Sequence, residues 1–172
     1  MWLVDDSKAF PPNVRVLLYG YDSTLVGSTS IQDMEDIGSR LAIEIRGIRP
    51  LTGSSPSYEP SPLVFIAHSL GGLVVKETIY HMAENNASDA QCIYGLVFFG
   101  VPHFGLLVEP WLNILGGQPN CRFIEDLRPN SRSLTKLDDK FRKVFTFSGS
   151  KVVSLFETMT SGTLQVGQHI EQ

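Results

Sequence analysis

The sequence has little of what marks secreted, membrane-spanning or nucleic-acid-binding proteins. Its two cysteines, Cys92 and Cys121, are too few for a disulfide framework or a cysteine metal cluster, and they favour a reducing, intracellular setting. No apolar stretch reaches the roughly 18 residues that cross a bilayer. Asp5 and Asp6 stand where a secretion signal needs apolar residues. The net charge of −4 gives no basic surface for nucleic acid or anionic lipid.

The remaining composition is that of a globular protein. Hydrophobic residues make up 42% of the 172 residues and charged residues 19%, which suits one apolar core and excludes a disordered chain. No linker is long enough to separate two cores, and the sequence contains no P-loop and no metal-ligand cluster. We therefore predict a single domain over residues 1–172 that holds no metal and no cofactor.

Apolar periodicity predicts alternating strands and helices. Short apolar runs predict buried strands at residues 14–21 (VRVLLYGY), 63–67, 92–100 and 151–157. Helical spacing predicts helices at residues 30–48, 70–84, 110–115 and from Ser131 onward, the first of them capped by Thr29 or Ser30. Strands that are apolar on both faces and alternate with helices are typical of a mostly parallel sheet with helices on both faces. The predicted fold class is α/β.

One strand–helix junction carries a candidate nucleophile. The stretch AHSLG matches the G-x-S-x-G nucleophile elbow, with Ala67 in place of the first glycine. Such a corner lifts the Ser69 hydroxyl to the start of a helix, where the N–H of Leu70 points to the position of an oxyanion. Gly71 and Gly72 then let the helix approach the strand. The alternative is an ordinary helix N-cap, for which serine is a common residue.

Longer motifs carry a resemblance to a known family. AHSLGGLVVKETIYHM, followed by IYGLVFFGVPHFG, resembles the α/β-hydrolase domain of the serine-active-site-containing serine esterase/lipase family. It is also similar to the N-terminal hydrolase domains of fungal NACHT and NB-ARC signalling proteins. VRVLLYGYDS and KVVSLFET match the same pattern, so the resemblance spans about residues 2–158. It implies a partial α/β-hydrolase fold.

The resemblance implies a nucleophile, an acid and a histidine in that chain order. Glu157 ends the last predicted strand, two strands after the serine strand, and is the implied acid. The alternative is that Glu157 is a solvated residue closing an edge strand. Asp22 also ends a predicted strand but precedes the serine, and we interpret it as a residue that orders a loop near the site.

Four histidines are available as the base. His68 lies beside the nucleophile and cannot turn to accept its proton, so we interpret it as a packed elbow residue. His81 lies three turns along the next helix and is interpreted as structural. His103 belongs to the family's G-x-P-H-x-G turn, which implies a place in the pocket floor. His169 follows Glu157 in the correct order, although no strand pattern separates the two, and it is the candidate base in this chain.

The resemblance further implies that the domain is incomplete. The family begins with a strand and an H-G-x-G-G-like loop that supplies a second oxyanion amide, whereas this sequence begins at MWLVDD. The family's histidine, in a D-H motif, would follow Gln172. The first strand would lie between VRVLLYGY and the serine strand. We therefore expect these two strands to be separated by an open slot, and the isolated chain to be marginally stable or to aggregate.

The predicted function is hydrolysis of acyl esters, lipids included, by a carboxylic-ester hydrolase that forms a serine acyl-enzyme. The resemblance implies a cytoplasmic location or peripheral association with mitochondrial or endoplasmic-reticulum membranes, and no nucleic-acid partner is expected. The alternative is a non-catalytic signalling module or pseudoenzyme, fused in longer relatives to NACHT, NB-ARC and repeat domains. Flanking genomic sequence discriminates them: an upstream H-G-x-G-G and a downstream D-H favour the enzyme, and nucleotide-binding or repeat sequence favours the module.

Overall fold

The computed structural model describes residues 14–22, 32–48, 61–115, 117–146 and 149–156. In chain order the described elements are α1 (Met34–Ile48), β1 (Leu63–His68), α2 (Leu70–Asn85), α3 (Ala87–Gln91), β2 (Ile93–Phe99), α4 (Glu109–Leu115), α5 (Cys121–Glu125), α6 (Arg132–Val144) and β3 (Lys151–Leu155). The predicted alternation of strands and helices is confirmed from α1 to β3. The short helices α3 and α5 were not predicted, because five residues are too few to show a helical period.

β2 is the central strand of a parallel three-stranded sheet with the order β1-β2-β3. β1 pairs along one side, where His68 lies opposite Phe99. β3 pairs along the other side, where Leu155 lies opposite the same Phe99. Because the strands are parallel, their carboxyl ends meet at one edge of the sheet. This topology confirms the α/β class and places the end of β1, which Ser69 follows, at that edge.

Helices α1, α2 and α6 cover one face of the sheet. Leu96 and Phe98 of β2 point into this face and are 0% and 2% exposed. They belong to a cluster that contains Val74 and Ile79 of α2, with Phe141 of α6 packed against it. Full burial of a side chain of this size contributes about 1.5–3 kcal/mol. The covered face is therefore the main source of the stability of the described fold.

A second apolar cluster fixes the segment between β2 and α6. Its buried members come from α2, α5, α6 and the connections around them: Leu73, Val108, Ile124, Leu127, Leu134 and Leu137. Leu70 and Val101 are partly buried against the same cluster. The chain that leaves β2 is thus packed against the first turn of α2, next to Ser69.

The opposite face of the sheet is exposed. Val64 and Ile66 project from it on β1, and Val153 and Leu155 on β3, with Ile66 53% and Leu155 48% exposed. Residues at these positions alternate with those that face the helices. The predicted parallel sheet with helices packed on it is confirmed. The second helical layer expected from the apolar strands is not found among the described residues.

Residues 14–21 do not form the predicted strand. They have no regular secondary structure, and Leu18 is 84% exposed. Tyr19 and Tyr21 instead pack against the cluster on the covered face, and Tyr19 Oη donates a 3.5 Å hydrogen bond to the carbonyl oxygen of Ile37. A strand needs a neighbouring strand for its N–H and C=O groups, and apolar composition does not reveal whether such an edge is within reach. As expected, residues 14–21 do not pair with β1. The predicted slot between two strands is not present, because residues 14–21, which were expected to form one side of it, are not a strand.

Side-chain caps set the ends of the predicted helices. α1 begins at Met34, where Asp33 and Asp36 form a reciprocal cap; the predicted cap residues Thr29 and Ser30 lie outside the described residues. Asp33 Oδ1 accepts from the Asp36 N–H at 2.8 Å, and Asp36 Oδ2 accepts from the Asp33 N–H at 3.2 Å, which is a capping box built from aspartates. α6 opens at Ser131 as predicted, and Ser131 is its N-cap, since its Oγ accepts a hydrogen bond from the Leu134 N–H at 3.2 Å.

Candidate active site

Ser69 joins β1 directly to α2 and has a backbone conformation that is rare for a residue with a side chain. Its φ is 50° and its ψ is −130°, a conformation that costs about 1–3 kcal/mol and persists only when the surroundings enforce it. A serine N-cap normally has an extended backbone, and its hydroxyl accepts a hydrogen bond from the first helical turn. Ser69 has neither property. The sharp corner expected from the sequence is present, and the ordinary N-cap geometry is not.

Backbone hydrogen bonds between the strand ends enforce this corner. The N–H of Ser69 donates to the carbonyl oxygen of Phe99 at 2.8 Å, and the N–H of Gly100 donates to that of Leu155 at 2.8 Å. Gly100 itself has φ 54°, which favours glycine. These two bonds connect the carboxyl ends of all three strands, so the position of Ser69 is fixed by the sheet.

Small residues allow α2 to start close to the strands. A Cβ on Gly72 would collide with the side chain of Val101, so no larger residue fits there without a shift. A Cβ on Gly71 would lie 3.9 Å from Tyr21 Oη, an ordinary contact distance. The close approach predicted for both glycines therefore depends on Gly72. Ala67, the small residue two positions before Ser69, is buried against the core.

The first turn of α2 begins directly after Ser69. Leu70 is the first residue of this sixteen-residue helix, and the N–H groups of a first helical turn have no acceptor within the helix. The helix dipole adds a partial positive charge at the same end. The Leu70 N–H thus lies at the partially positive end of α2, directly after Ser69.

Two of the predicted histidines have surroundings that separate them from Ser69. His68 is the last residue of β1 and is exposed on the same face as Ile66. His81 lies twelve residues beyond Ser69, about 18 Å along α2 at 1.5 Å per residue. Its Nε2 lies 3.9 Å from Glu77 Oε2. In the described ranges neither ring makes a hydrogen bond to Ser69.

His103 packs behind the corner, in the turn that follows β2. Its ring meets the ring of Phe98 edge-on at 5.1 Å. Its Nδ1 is buried and has no hydrogen-bond partner within the described part of the chain. Burial, with a further contribution from the nearby charge of Lys76, lowers the pKa of His103, against a smaller opposite effect of Asp138. His103 is therefore a neutral ring packed against the covered face of the sheet.

The remaining predicted site residues lie at the end of a described range or outside the described ranges. Glu157 follows directly after the last described residue, Phe156, and His169 also lies outside the described ranges. β3 ends at the same edge as β1, which is the edge expected for the acid. Asp22 is exposed and follows Tyr21, whose hydroxyl approaches Gly71, so its segment lies near the start of α2.

Two charged residues about two turns along α2 form ion pairs with the flanking helices. Lys76 is 6% exposed, and its Nζ donates to Asp138 Oδ1 of α6 at 3.2 Å. Glu77 is also buried and lies 3.2 Å from Lys140 Nζ, which is 3.2 Å from Glu35 Oε2 of α1. Sequence reasoning missed this network, although a lysine and a glutamate inside the apolar run LVVKETI signal buried, paired charges.

The two charges of the Lys76–Asp138 pair are affected differently by their surroundings. Burial lowers the pKa of Lys76, and the hydrogen bond to Asp138 opposes that effect. Burial alone would raise the pKa of Asp138, but hydrogen bonds from Arg142 and Lys76 outweigh it and lower the pKa. Asp138 therefore remains ionised and compensates the buried ammonium group.

A shallow groove of about 520 Å³ lies between α2 and α6. Tyr80, Lys136 and Lys143 are among its lining residues. Tyr80 is eleven residues beyond Ser69, about 16 Å along the helix, so the groove does not belong to the candidate site. Over the described ranges, no group of three or more histidine, cysteine or carboxylate side chains could hold a metal ion. Every described helix is too short or too polar to span a bilayer.

Comparisons with known proteins match this chain to one family. The family described as "Putative serine esterase (DUF676)" matches residues 10–140. Protein SERAC1 of Danio rerio is 26% identical over 168 residues, which cover 92% of this chain and 24% of the relative. Protein SERAC1 of Homo sapiens is 27% identical over 164 residues, with 92% and 24% coverage. The chain thus spans about a quarter of the length of the curated relatives it matches. No solved structure gives a significant match.

The family match covers more than half of the chain and includes β1, the Ser69 corner, α2 and β2. The shared region therefore contains the Ser69 corner, whereas Glu157 and His169 lie beyond it. The resemblance seen in the AHSLGG and GVPHFG motifs is confirmed. The chain belongs to the family described as "Putative serine esterase (DUF676)".

Proposed function

We propose that this chain is the hydrolase domain of a carboxylic-ester hydrolase in which Ser69 is the nucleophile. The observation that carries the proposal is the backbone of Ser69, with φ 50° and ψ −130°. Glycine would adopt this conformation without the Cβ penalty, and the hydroxyl is not used to cap α2. A strained serine at this position is explained if the hydroxyl takes part in the reaction.

The proposed reaction proceeds through an acyl-enzyme. Ser69 Oγ attacks the carbonyl carbon of the ester, its proton passes to a histidine, and the carbonyl electron pair becomes an oxyanion facing the Leu70 N–H. Collapse of this intermediate expels the alcohol, which takes the proton from the histidine, and leaves acyl-Ser69. A water molecule then attacks the acyl carbon with the same histidine as base. The products are the carboxylic acid and free Ser69.

Glu157 and His169 are the proposed acid and base within this chain. Glu157 is supported by its place after β3, which ends at the edge that Ser69 occupies. The acid would hold the histidine in the correct tautomer and stabilise its charged form. His169 is proposed because it follows Glu157 in the sequence, while the rings of His68, His81 and His103 have other surroundings.

The proposed substrates are esters with an apolar acyl group, lipid esters among them. In the segment after β2, Phe104 and Leu107 are exposed on a segment held in a defined position. Gly105 is packed against the backbone of residues 127–129, the Leu106 N–H donates to the carbonyl oxygen of Leu127 at 2.9 Å, and Val108 is buried. This apolar surface beside the first turn of α2 supports binding of an acyl chain and peripheral contact with a membrane.

A non-catalytic signalling module is the second candidate function. The observation that favours it is that no histidine of the described ranges makes a hydrogen bond to Ser69. In this case the hydrolase fold would be retained as an interaction domain of a longer protein. The two functions differ in whether Ser69 reacts.

Labelling with a fluorophosphonate probe tests the proposed function. We expect slow covalent labelling of the 172-residue chain that is abolished in Ser69→Ala and reduced in His169→Ala. The variant His81→Ala is the matched control, because His81 lies far along α2, and it should label like the wild type. Absence of labelling, or labelling that persists in Ser69→Ala, would exclude Ser69 as a reactive nucleophile in this chain and favour the non-catalytic module.

A further inference from the structure

Tyr21 lies beside the first turn of α2 and has no role in the reaction described above. Its ring is half-buried and packs against the main apolar cluster. Its Oη lies 3.9 Å from the position that a Cβ on Gly71 would occupy. Gly71 is two residues after Ser69 and directly follows Leu70, the proposed oxyanion donor. The phenol therefore lies beside the first turn of the helix that carries the proposed oxyanion donor.

Two side chains flank the start of α2 on different sides. Val101, from the segment after β2, fills the space at Gly72. Tyr21, from the segment before α1, approaches at Gly71. Successive helical residues point about 100° apart, since a turn contains 3.6 residues. An ester at Ser69 thus has an aliphatic side chain on the side of β2 and a polar hydroxyl group on another side.

The Tyr21 hydroxyl is able to donate a hydrogen bond. It makes no hydrogen bond to any residue in the described part of the chain, whereas the hydroxyl of Tyr19 binds Ile37. Burial, and secondarily the neighbouring Tyr19, raise the pKa of Tyr21. The group consequently keeps its proton at neutral pH. A neutral phenol cannot act as the base, but it can stabilise a developing negative charge.

We propose that Tyr21 is a catalytic residue that donates a second hydrogen bond to the oxyanion formed at Ser69, together with the Leu70 N–H. This inference rests on the proposed function. When Ser69 Oγ bonds to the acyl carbon, the carbonyl electron pair moves onto oxygen, and the Tyr21 O–H donates to that oxygen while keeping its proton. The proton of Ser69 goes to the histidine as before, and Tyr21 is neither consumed nor ionised in the cycle.

The test compares fluorophosphonate labelling rates of the whole chain in the wild type, Tyr21→Phe and Tyr19→Phe. The phosphonyl oxygen carries negative charge in the transition state and reports on oxyanion donors. Loss of one such donor costs about 10²–10³ in rate in a characterised hydrolase. We expect at least about a tenfold decrease for Tyr21→Phe. Tyr19→Phe removes the same atom from the neighbouring ring and should stay within about twofold of the wild type.

A second measurement separates a catalytic role from a structural one. In Tyr21→3,5-difluorotyrosine the ring and hydroxyl remain but the phenol ionises at lower pH, so the alkaline loss of labelling should move to lower pH. Thermal melts of all variants report on folding. Two results would overturn the role of Tyr21 alone. One is a Ser69-dependent labelling rate that is unchanged in Tyr21→Phe, and the other is a difluorotyrosine variant that loses labelling at the same alkaline pH as the wild type. Labelling that does not depend on Ser69 would overturn both this inference and the proposed function.

Discussion

The backbone N–H of Ser69 donates a 2.8 Å hydrogen bond to the carbonyl oxygen of Phe99, so the last residue of β2 holds the corner that follows β1. Phe99 also lies opposite Leu155 of β3. The unfavourable backbone conformation of Ser69 is therefore opposed by pairing across the whole described sheet. The strain at this residue has a measurable consequence for stability.

The Ser69→Gly variant should be more stable than the Ser69→Ala variant. The φ of 50° carries a penalty for any residue with a Cβ, and alanine keeps the Cβ that glycine lacks. After subtracting the greater freedom of glycine in the unfolded chain, we expect Ser69→Gly to exceed Ser69→Ala by about 1 kcal/mol in the free energy of unfolding. Urea denaturation of the two variants measures the difference. Equal stability would show that the corner stores no strain.

Gly72→Ala should destabilise the fold because its methyl group would meet Val101. Inserting a methyl group into a packed site costs about 1–3 kcal/mol. Gly71→Ala is the matched control, since its Cβ has room and alanine favours a helix over glycine by about 0.8–1 kcal/mol. The double variant Gly72→Ala with Val101→Ala should recover part of the loss. A Gly72→Ala protein as stable as the Gly71→Ala protein would contradict the close approach.

His103→Phe should weaken the dependence of stability on acid pH. Burial lowers the pKa of His103 below its ordinary 6.5, so the unfolded chain binds a proton more readily than the folded one. Stability is then lost as pH falls from about 6.5 towards the folded pKa. Phenylalanine keeps a ring against Phe98 and cannot be protonated. We expect His103→Phe to lose less unfolding free energy than the wild type between about pH 7 and pH 5, and equal losses would refute the buried neutral ring.

Glu157→Gln should greatly reduce the turnover of an ester by an active form of this domain. Loss of the acid removes the partner that stabilises the charged histidine, and in subtilisin the corresponding loss costs about 3 × 10⁴ in kcat. Glu125→Gln, an exposed change on α5, is the control. Hydrolysis of a chromogenic ester gives the rates. A Glu157→Gln enzyme within about twofold of the control would remove Glu157 from the proposed mechanism.

The open face of the sheet should make the chain associate in solution. Val64, Ile66, Val153 and Leu155 form an exposed apolar surface, and such surfaces promote self-association. Ile66→Lys should increase the monomer fraction in analytical ultracentrifugation, whereas Ile43→Lys, on the exposed side of α1, should not. A wild-type monomer that melts cooperatively above about 50 °C would contradict the expected marginal stability.

The corner was predictable because its determinants are local. An apolar run, a serine and small residues around it specify a strand that turns directly into a helix, and β1, Ser69 and α2 follow that pattern. β2 and β3 were found for the same reason. Ser131 at the start of α6 was found because a cap depends only on the next three residues.

The predictions that were wrong or missing concern contacts between segments that are far apart in the sequence. Residues 14–21 have the composition of a strand, but composition does not indicate whether a sheet edge is available, and their tyrosines pack against helices instead. The approach of the Tyr21 hydroxyl to Gly71 brings together residues fifty positions apart. The pairing of Lys76 with Asp138 spans a similar separation. Periodicity contains no information about such contacts.

α2 carries the serine corner at one end and the contacts to α6 further along the same rod. Lys76 lies seven residues beyond Ser69, about two helical turns, and both it and Glu77 are anchored on α6 by ion pairs. The ion pairs with α6 therefore hold the axis of α2, and with it the position at which the first turn of this helix meets the Ser69 corner.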